Sequence, residues 1–162
     1  MGFEPTTSSV HSSSARVPPQ LLDPFKGRGA VLGQADPTYV TYGYNAWSLS
    51  ADGKKIAALA GSDSSRIQVI DVNGKPTDVI NLAGWHLQSV SWAPHNQRLY
   101  VSGQTGQSFK ILLVRLDGGF KSLSEFPMGR GWPFAPKPSP DGRYLAYYLR
   151  LFEENVALLE NY

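Results

Sequence analysis

The histidine side chains are the first residues of this sequence whose chemistry could support catalysis or metal binding. His11 lies in a Ser- and Thr-rich opening, His86 precedes a β-rich run, and His95 lies in a predicted turn. Their spacing does not match the His-x-x-x-His pattern that places two imidazoles beside one zinc ion. The chain has no cysteine, which excludes thiolate ligands and thiol nucleophiles. We therefore expect no metal site.

Hydroxyl nucleophiles and phosphate-binding loops lack the surroundings that their chemistry needs. No Gly-x-Ser-x-Gly elbow occurs, so no serine is predicted to act as a nucleophile. The segment Gly27-Arg28-Gly29 with Gly33 superficially resembles a phosphate loop, but its spacing is wrong and no helix is predicted after it. The sequence therefore predicts no catalytic residue, no cofactor and no enzymatic activity.

Ligand binding by aromatic residues is the remaining chemistry that the sequence suggests. An aromatic residue stands eight to ten residues before each copy of a recurring turn, at Tyr44, Trp85 and Trp132. Flat rings give a ligand contact area, and neighbouring polar groups give directed donors. The candidate binding residues are Tyr44, Asn45, Trp85, His86, Arg130 and Trp132. The alternative is that these aromatics pack between neighbouring sheets, as a requirement of the fold.

The recurring turn belongs to a longer repeat, which must position these residues. Its turn positions, Asp52, His95 and Asp141, are 43 and 46 residues apart. This period is typical of a four-stranded propeller blade rather than of a helical repeat. Asp-Gly, or His95 with Asn96, supplies the positive φ of a tight hairpin, and a β-rich run follows. Each unit is therefore predicted to open with a β-hairpin.

Further strands are predicted inside each unit. Third strands are expected at 66–72, 110–116 and 155–160, and fourth strands at 78–82 and 121–126. Residues 21–32 read as the end of an earlier unit, with a third strand, a glycine turn and a fourth strand. The aromatic loops would then enter a central channel, and the six candidate residues would line its mouth.

Composition limits the partners of the chain. Its 162 residues are 41% hydrophobic, enough for a core, and the formal charge of +2 gives no reason to expect nucleic acid or an anionic membrane as a partner. Residues 1–20 are Ser-, Thr- and Pro-rich and are predicted to be disordered. Neither a signal peptide nor a transmembrane segment is predicted. The expected location is the cytoplasm if the chain is complete, and the compartment is otherwise open.

The repeat motif resembles that of the TolB-like, or WD-repeat-like, bacterial β-propeller family. Residues 139–146 read SPDGRYLA, residues 50–57 read SADGKKIA, and residues 92–99 read WAPHNQRL. The likeness covers about 34–162, with Ala51 in place of proline and His95 with Asn96 in place of Asp-Gly. It implies an all-β partial propeller of about three four-stranded antiparallel blades. The implied divisions are a blade end at 21–33 and blades at about 40–83, 84–127 and 128–162.

The resemblance implies a non-catalytic binding or scaffold segment of a larger bacterial sensor or regulatory protein. Its partner would be a protein or a small ligand, and exposed blade edges would favour self-association. One alternative is the gating propeller of a prolyl-oligopeptidase-like peptidase, and another is a truncated product without independent function. The neighbouring reading frame would separate these hypotheses. An upstream winged-helix or kinase domain would favour the binding or scaffold segment, and a downstream α/β-hydrolase domain would favour the gating propeller. A propeller interrupted by a stop would favour the truncated product.

Overall fold

The computed structural model describes residues 20–23, 27–31, 46–60, 64–73 and 75–151. These residues form antiparallel β-sheets joined by turns, and the predicted all-β class is confirmed. The first pair is strand β1 (Gln20–Asp23) with strand β2 (Gly27–Val31). This antiparallel pair agrees with the two strands and the glycine turn predicted within 21–32. Of the segment 1–20 that was predicted to be disordered, residues 1–19 lie outside the described residues, whereas Gln20 begins strand β1. The strand predicted at 155–160 also lies outside the described residues.

Sheet I is a four-stranded antiparallel meander. It contains β3 (Trp47–Leu49), β4 (Lys55–Ala60), β5 (Arg66–Asp71) and β6 (Pro76–Asn81), in chain order. Strand β4 is buried over most of its length, whereas exposed side chains dominate β6. The two middle strands, β4 and β5, are therefore the most buried of the sheet. The predicted third and fourth strands are confirmed as β5 and β6.

Sheet II repeats this arrangement. Its strands are β7 (His86–Trp92), β8 (Arg98–Thr105), β9 (Ser108–Arg115) and β10 (Phe120–Pro127), again antiparallel and in chain order. The strands predicted at 110–116 and 121–126 are confirmed as β9 and β10. Sheet III consists of β11 (Trp132–Pro138) and β12 (Leu145–Arg150), which form an antiparallel pair.

The first hairpin turn of sheet I is closed by its own side chains. The Gly53 amide donates to the Ser50 carbonyl at 2.9 Å, and Gly53 has φ of 70°. The Ser50 hydroxyl donates to Asp52 Oδ1 at 2.6 Å and accepts from the Lys55 amide at 2.9 Å. The turn of sheet III reproduces these bonds with Ser139, Asp141, Gly142 and Tyr144. The predicted equivalence of these two turns is confirmed at the level of single atoms.

The corresponding turn of sheet II has the same place in the chain but different residues. The Asn96 amide donates to the Ala93 carbonyl at 3.3 Å. His95 has φ of 69° and Asn96 has φ of 54°, both in the left-handed region that His and Asn tolerate better than most residues. The interpretation of His95 as a residue of the hairpin turn is therefore confirmed.

The main hydrophobic core lies between sheet I and sheet II. Apolar side chains from one face of each sheet form a single buried cluster, to which Trp85 and Leu116 add partly buried atoms. Its members are Ala57, Leu59, Ile67, Val69, Ile80, Leu82, Leu87, Val90, Trp92, Leu99, Val101, Leu112 and Val114. Burying this much aliphatic surface makes the contact between the two sheets the main apolar contact of the described residues.

Candidate functional site

Trp85 packs against the core rather than standing alone at a channel mouth. It is half-buried, contacts the apolar cluster between sheets I and II, and meets Phe120 edge-to-face with ring centroids 5.7 Å apart. Such aromatic pairs add stability beyond the burial of their area. For Trp85 the packing alternative is confirmed.

Trp132 also has a structural environment, on the other side of sheet II. Its ring stacks on Phe109 at a centroid distance of 5.3 Å, and its indole N–H donates to Gln88 Oε1. The sequence predicts that Trp132 lies in the loop before an inner strand. In the structure it is instead the first residue of β11. Packing between neighbouring sheets is thus confirmed for Trp132 as well.

The loops before β7 and β11 show which residues are equivalent. The Trp85 amide donates to the Leu82 carbonyl, and the Arg130 amide to the Pro127 carbonyl, each at 3.1 Å. The penultimate residue of each turn is a glycine at φ near 80°, Gly84 (80°) and Gly129 (83°). Arg130 therefore takes the place of Trp85, and the two tryptophans are not equivalent positions.

The other predicted site residues lie at the surface or outside the described residues. His86 is exposed and begins β7 opposite Gln104, and Arg130 is exposed in its turn. Tyr44 and Asn45 lie outside the described residues. The structure places Trp85 and Trp132 in contact with different side chains, on the two sides of sheet II. A role in ligand binding stays a prediction for Trp85, His86, Arg130 and Trp132.

The contact between sheets I and II includes hydrogen bonds at its ends as well as apolar burial. The Trp92 indole N–H donates to the Ser48 carbonyl at 3.1 Å. The Asn96 side chain accepts from the Ala51 amide at 2.9 Å. The bonded residues are 44 and 45 positions apart, so one repeat unit bonds to the next.

The contact between sheets II and III adds buried serines to the stack of Trp132 on Phe109. The Ser89 hydroxyl accepts from the Ala135 amide at 3.0 Å and shares a hydrogen bond with Ser102. The Ser91 hydroxyl donates to the Pro136 carbonyl. All three serines are buried. Because a buried hydroxyl must find a partner, these bonds fix where β11 lies on sheet II.

Irregularities in both strands make this serine contact possible. The pairing of β7 with β8 shifts register between Leu87 and Ser89, which leaves Gln88 as a bulge residue. The pairing of β11 with β12 shifts between Phe134 and Lys137, and Ala135 within that stretch has φ of 53°. Bulges redirect side chains and backbone groups out of the regular ladder. Here they turn polar groups of the two strands toward each other.

A cationic depression on sheet II was not predicted from the sequence. Arg98, Arg115 and Lys121 line a concavity of about 300 Å³, together with Leu113, Gly119 and Phe120. An adjoining concavity of about 360 Å³ shares Arg98 and Leu113 and reaches Asp141 of sheet III. One feature of the sequence could have indicated this depression, namely the two-residue turn that follows Thr105. A turn of that length pairs Thr105 with Ser108 and therefore places Arg98 of β8 directly opposite Arg115 of β9.

The carboxylates of the hairpin turns are stabilised in their ionised form. The pKa of Asp52 is lowered by the hydrogen bond from the Ser50 hydroxyl and next by the Lys54 amide. The pKa of Asp141 is lowered in the same way by Ser139 and then by the Arg143 amide. These shifts arise from turn geometry, so they support the interpretation of both residues as turn formers.

No group of three or more His, Cys, Asp or Glu residues in the described ranges is arranged to hold a metal ion. No helix in the same ranges has the length and apolar character needed to cross a bilayer. Neither protein-family models nor curated proteins give a match to this sequence.

Proposed function

We propose that this chain supplies consecutive blades of a β-propeller and serves as a non-catalytic binding platform within a larger bacterial sensor or regulatory protein. The observation that carries the proposal is the regular succession of the sheets. Sheets I and II have the same strand order, and sheet III begins with the same hairpin. Hydrogen bonds join each sheet to the next at separations of 44 to 46 residues.

A propeller brings consecutive sheets face to face around an axis, and the contacts of β7 agree with that arrangement. One face of β7 contributes Val90 and Trp92 to the cluster with sheet I. The other face contributes Ser89 and Ser91 to the contact with β11. Sheet II is therefore covered on both faces by its neighbours in the chain, as a blade inside a propeller would be.

The platform would bind another polypeptide through sheet III. Strand β12 exposes side chains on both faces: Tyr147 contacts Phe126 of sheet II, whereas Tyr148 stacks on Phe134 on the opposite face. We name Tyr148 with Phe134, on the face turned away from sheet II, the β12 patch. Tyr148 is 68% exposed. Contiguous apolar groups at a sheet surface are typical of protein interfaces, where tyrosine is enriched. The β12 patch is thus the surface that a further sheet would cover, and a second copy of this chain is the simplest source of one.

The experiment is sedimentation velocity on the full chain at tens of micromolar. We expect species larger than the monomer, and we expect Tyr148→Lys to shift them toward the monomer, because a charge would have to be buried in the contact. Val79→Lys is the matched control, since Val79 is 63% exposed on β6 of sheet I. A wild-type chain that sediments as a dispersed monomer would argue against the proposal, as would equal effects of the patch and control variants.

A further inference from the structure

Two arginines face each other across neighbouring strands of sheet II. Arg98 of β8 is paired directly with Arg115 of β9, so both side chains stand on the same face of the sheet. Like charges directly opposite each other destabilise a sheet. A third cation, Lys121 of β10, lines the same depression of about 300 Å³. The fold therefore holds three positive charges around one concavity.

One of these cations is held in a fixed orientation by the following turn. Arg115 Nε donates to Asp117 Oδ1 at 3.0 Å, and the same oxygen accepts from the Gly119 amide at 2.9 Å. A Cβ atom at Gly119 would lie 2.4 Å from Arg115 Nη2, so a side chain at this position would displace the guanidinium from its present orientation. The bond to Asp117 uses Nε and leaves both Nη groups as donors for a further acceptor. Arg115 is thus oriented in advance for an oxyanion.

The charges around the depression do not balance. Asp117 offsets one of the three cations, and Asp141 lines the adjoining concavity together with Arg98, His95 and Tyr100. Phe120 also borders the depression, but it pairs with Val114 of the apolar cluster and its ring meets Trp85, so the ring lies on the sheet I face of sheet II, opposite the cations. The depression thus presents guanidinium and ammonium donors with an excess of positive charge.

We infer that this depression binds the phosphate group of a small phosphate monoester. Arginine forks match the geometry of phosphate oxygens and bind them with charge-assisted hydrogen bonds. A volume of about 300 Å³ suits a ligand of this size. The inference rests on the proposed role as a binding platform, but it uses a different surface from the β12 patch.

The test is calorimetric titration of the full chain with phenyl phosphate, with inorganic phosphate and benzoate as comparison arms. We expect saturable binding of both phosphates, weaker binding of the singly charged benzoate, and a loss of affinity as salt is added. Arg98→Gln should weaken binding roughly tenfold to a hundredfold, because a charge-assisted bond is lost. Lys121→Gln should weaken it by a smaller factor. Lys75→Gln, which removes a cation from the sheet I loop, is the control and should leave binding unchanged.

A second readout separates loss of the site from loss of the fold. Removing one of two opposed arginines should leave the Tm of the unliganded Arg98→Gln variant equal to or above that of the wild type. A lower Tm, equal weakening by Lys75→Gln, or no saturation at roughly 10 mM phenyl phosphate would overturn the inference. If self-association persists without phosphate binding, only this inference fails. If phosphate binds but the chain is a monomer, only the β12 contact fails.

Discussion

Strand β7 is buried on both faces, yet the two contacts that bury it are chemically different. Toward sheet I it presents Leu87, Val90 and Trp92, which join one continuous apolar cluster. Toward sheet III it presents Ser89 and Ser91, which bond to the backbone of β11. The first contact depends on the area removed from water, whereas the second depends on the alignment of single donors and acceptors. One strand can therefore join two neighbours by different physical means.

The difference has consequences for how each contact responds to change. Apolar burial is non-directional, so its strength follows the volume and area of the side chains. A buried hydrogen bond gives little net stability when it is made but costs more when one partner is lost. We therefore expect the sheet I contact to depend on side-chain size and the sheet III contact to depend on hydroxyl groups.

The largest effect is expected from truncation within the apolar contact. Leu112→Ala removes a fully buried member of the cluster and should lower the free energy of unfolding by about 2–5 kcal/mol, measured by urea denaturation. Leu123→Ala is the control, because Leu123 lies on β10 of the same sheet but is 42% exposed. It should change stability by less than about 0.5 kcal/mol. Equal losses from both variants would contradict the role given to the cluster.

A smaller loss is expected from removing a hydroxyl in the serine contact. Ser89→Ala leaves the buried Ala135 amide and the Ser102 hydroxyl without the partner they share, and should cost about 1–3 kcal/mol in the same denaturation. Ser102→Ala should cost less, since Ser89 keeps its bond from Ala135. Ser122→Ala, on the exposed face of β10, serves as the control. If Ser89→Ala were as mild as Ser122→Ala, the two contacts of β7 would not differ as described.

The smallest effect on stability is expected from the hairpin turns, whose residues differ between sheet II and the other two sheets. Sheets I and III carry Asp52 and Asp141 in their turns, whereas sheet II carries His95 there. Since both carboxyl pKa values are lowered, their stabilisation is present above the ordinary value of 3.8 and is lost as the pH falls below it. The Tm should therefore fall between about pH 5 and pH 2.5. The double variant Asp52→Asn with Asp141→Asn should fall less steeply, and an unchanged slope would refute the assignment.

Much of the fold could be predicted from the sequence because its repeat is marked by turns. The residues with positive φ, Gly53, Gly142 and Asn96, stand where the pattern placed them. Strands between such turns follow from β-rich runs, and β5, β6, β9 and β10 lie where they were expected. Local turn chemistry therefore determined the elements, since each turn needs only residues that are adjacent in the chain.

The side-chain contacts were harder to predict because they depend on register. Counting back from the recurring turn made Trp132 appear equivalent to Trp85, but the bulge at Ala135 and Pro136 shifts the count within β11. The serine contact needs this bulge and the one at Gln88, and neither has a marker in the sequence. The cationic depression joins residues from three strands, so only the pairing of those strands reveals it.

The prolines of β11 affect which edge of sheet III can accept another strand. Pro133, Pro136 and Pro138 lie within seven residues, and among the described residues β11 pairs only with β12. Proline is tolerated in a paired strand where its missing donor faces the unpaired side. The open side of β11 is therefore poor in amide hydrogens and is a weak template for fibril growth. Uncontrolled stacking of copies along that side is thus disfavoured by the backbone itself.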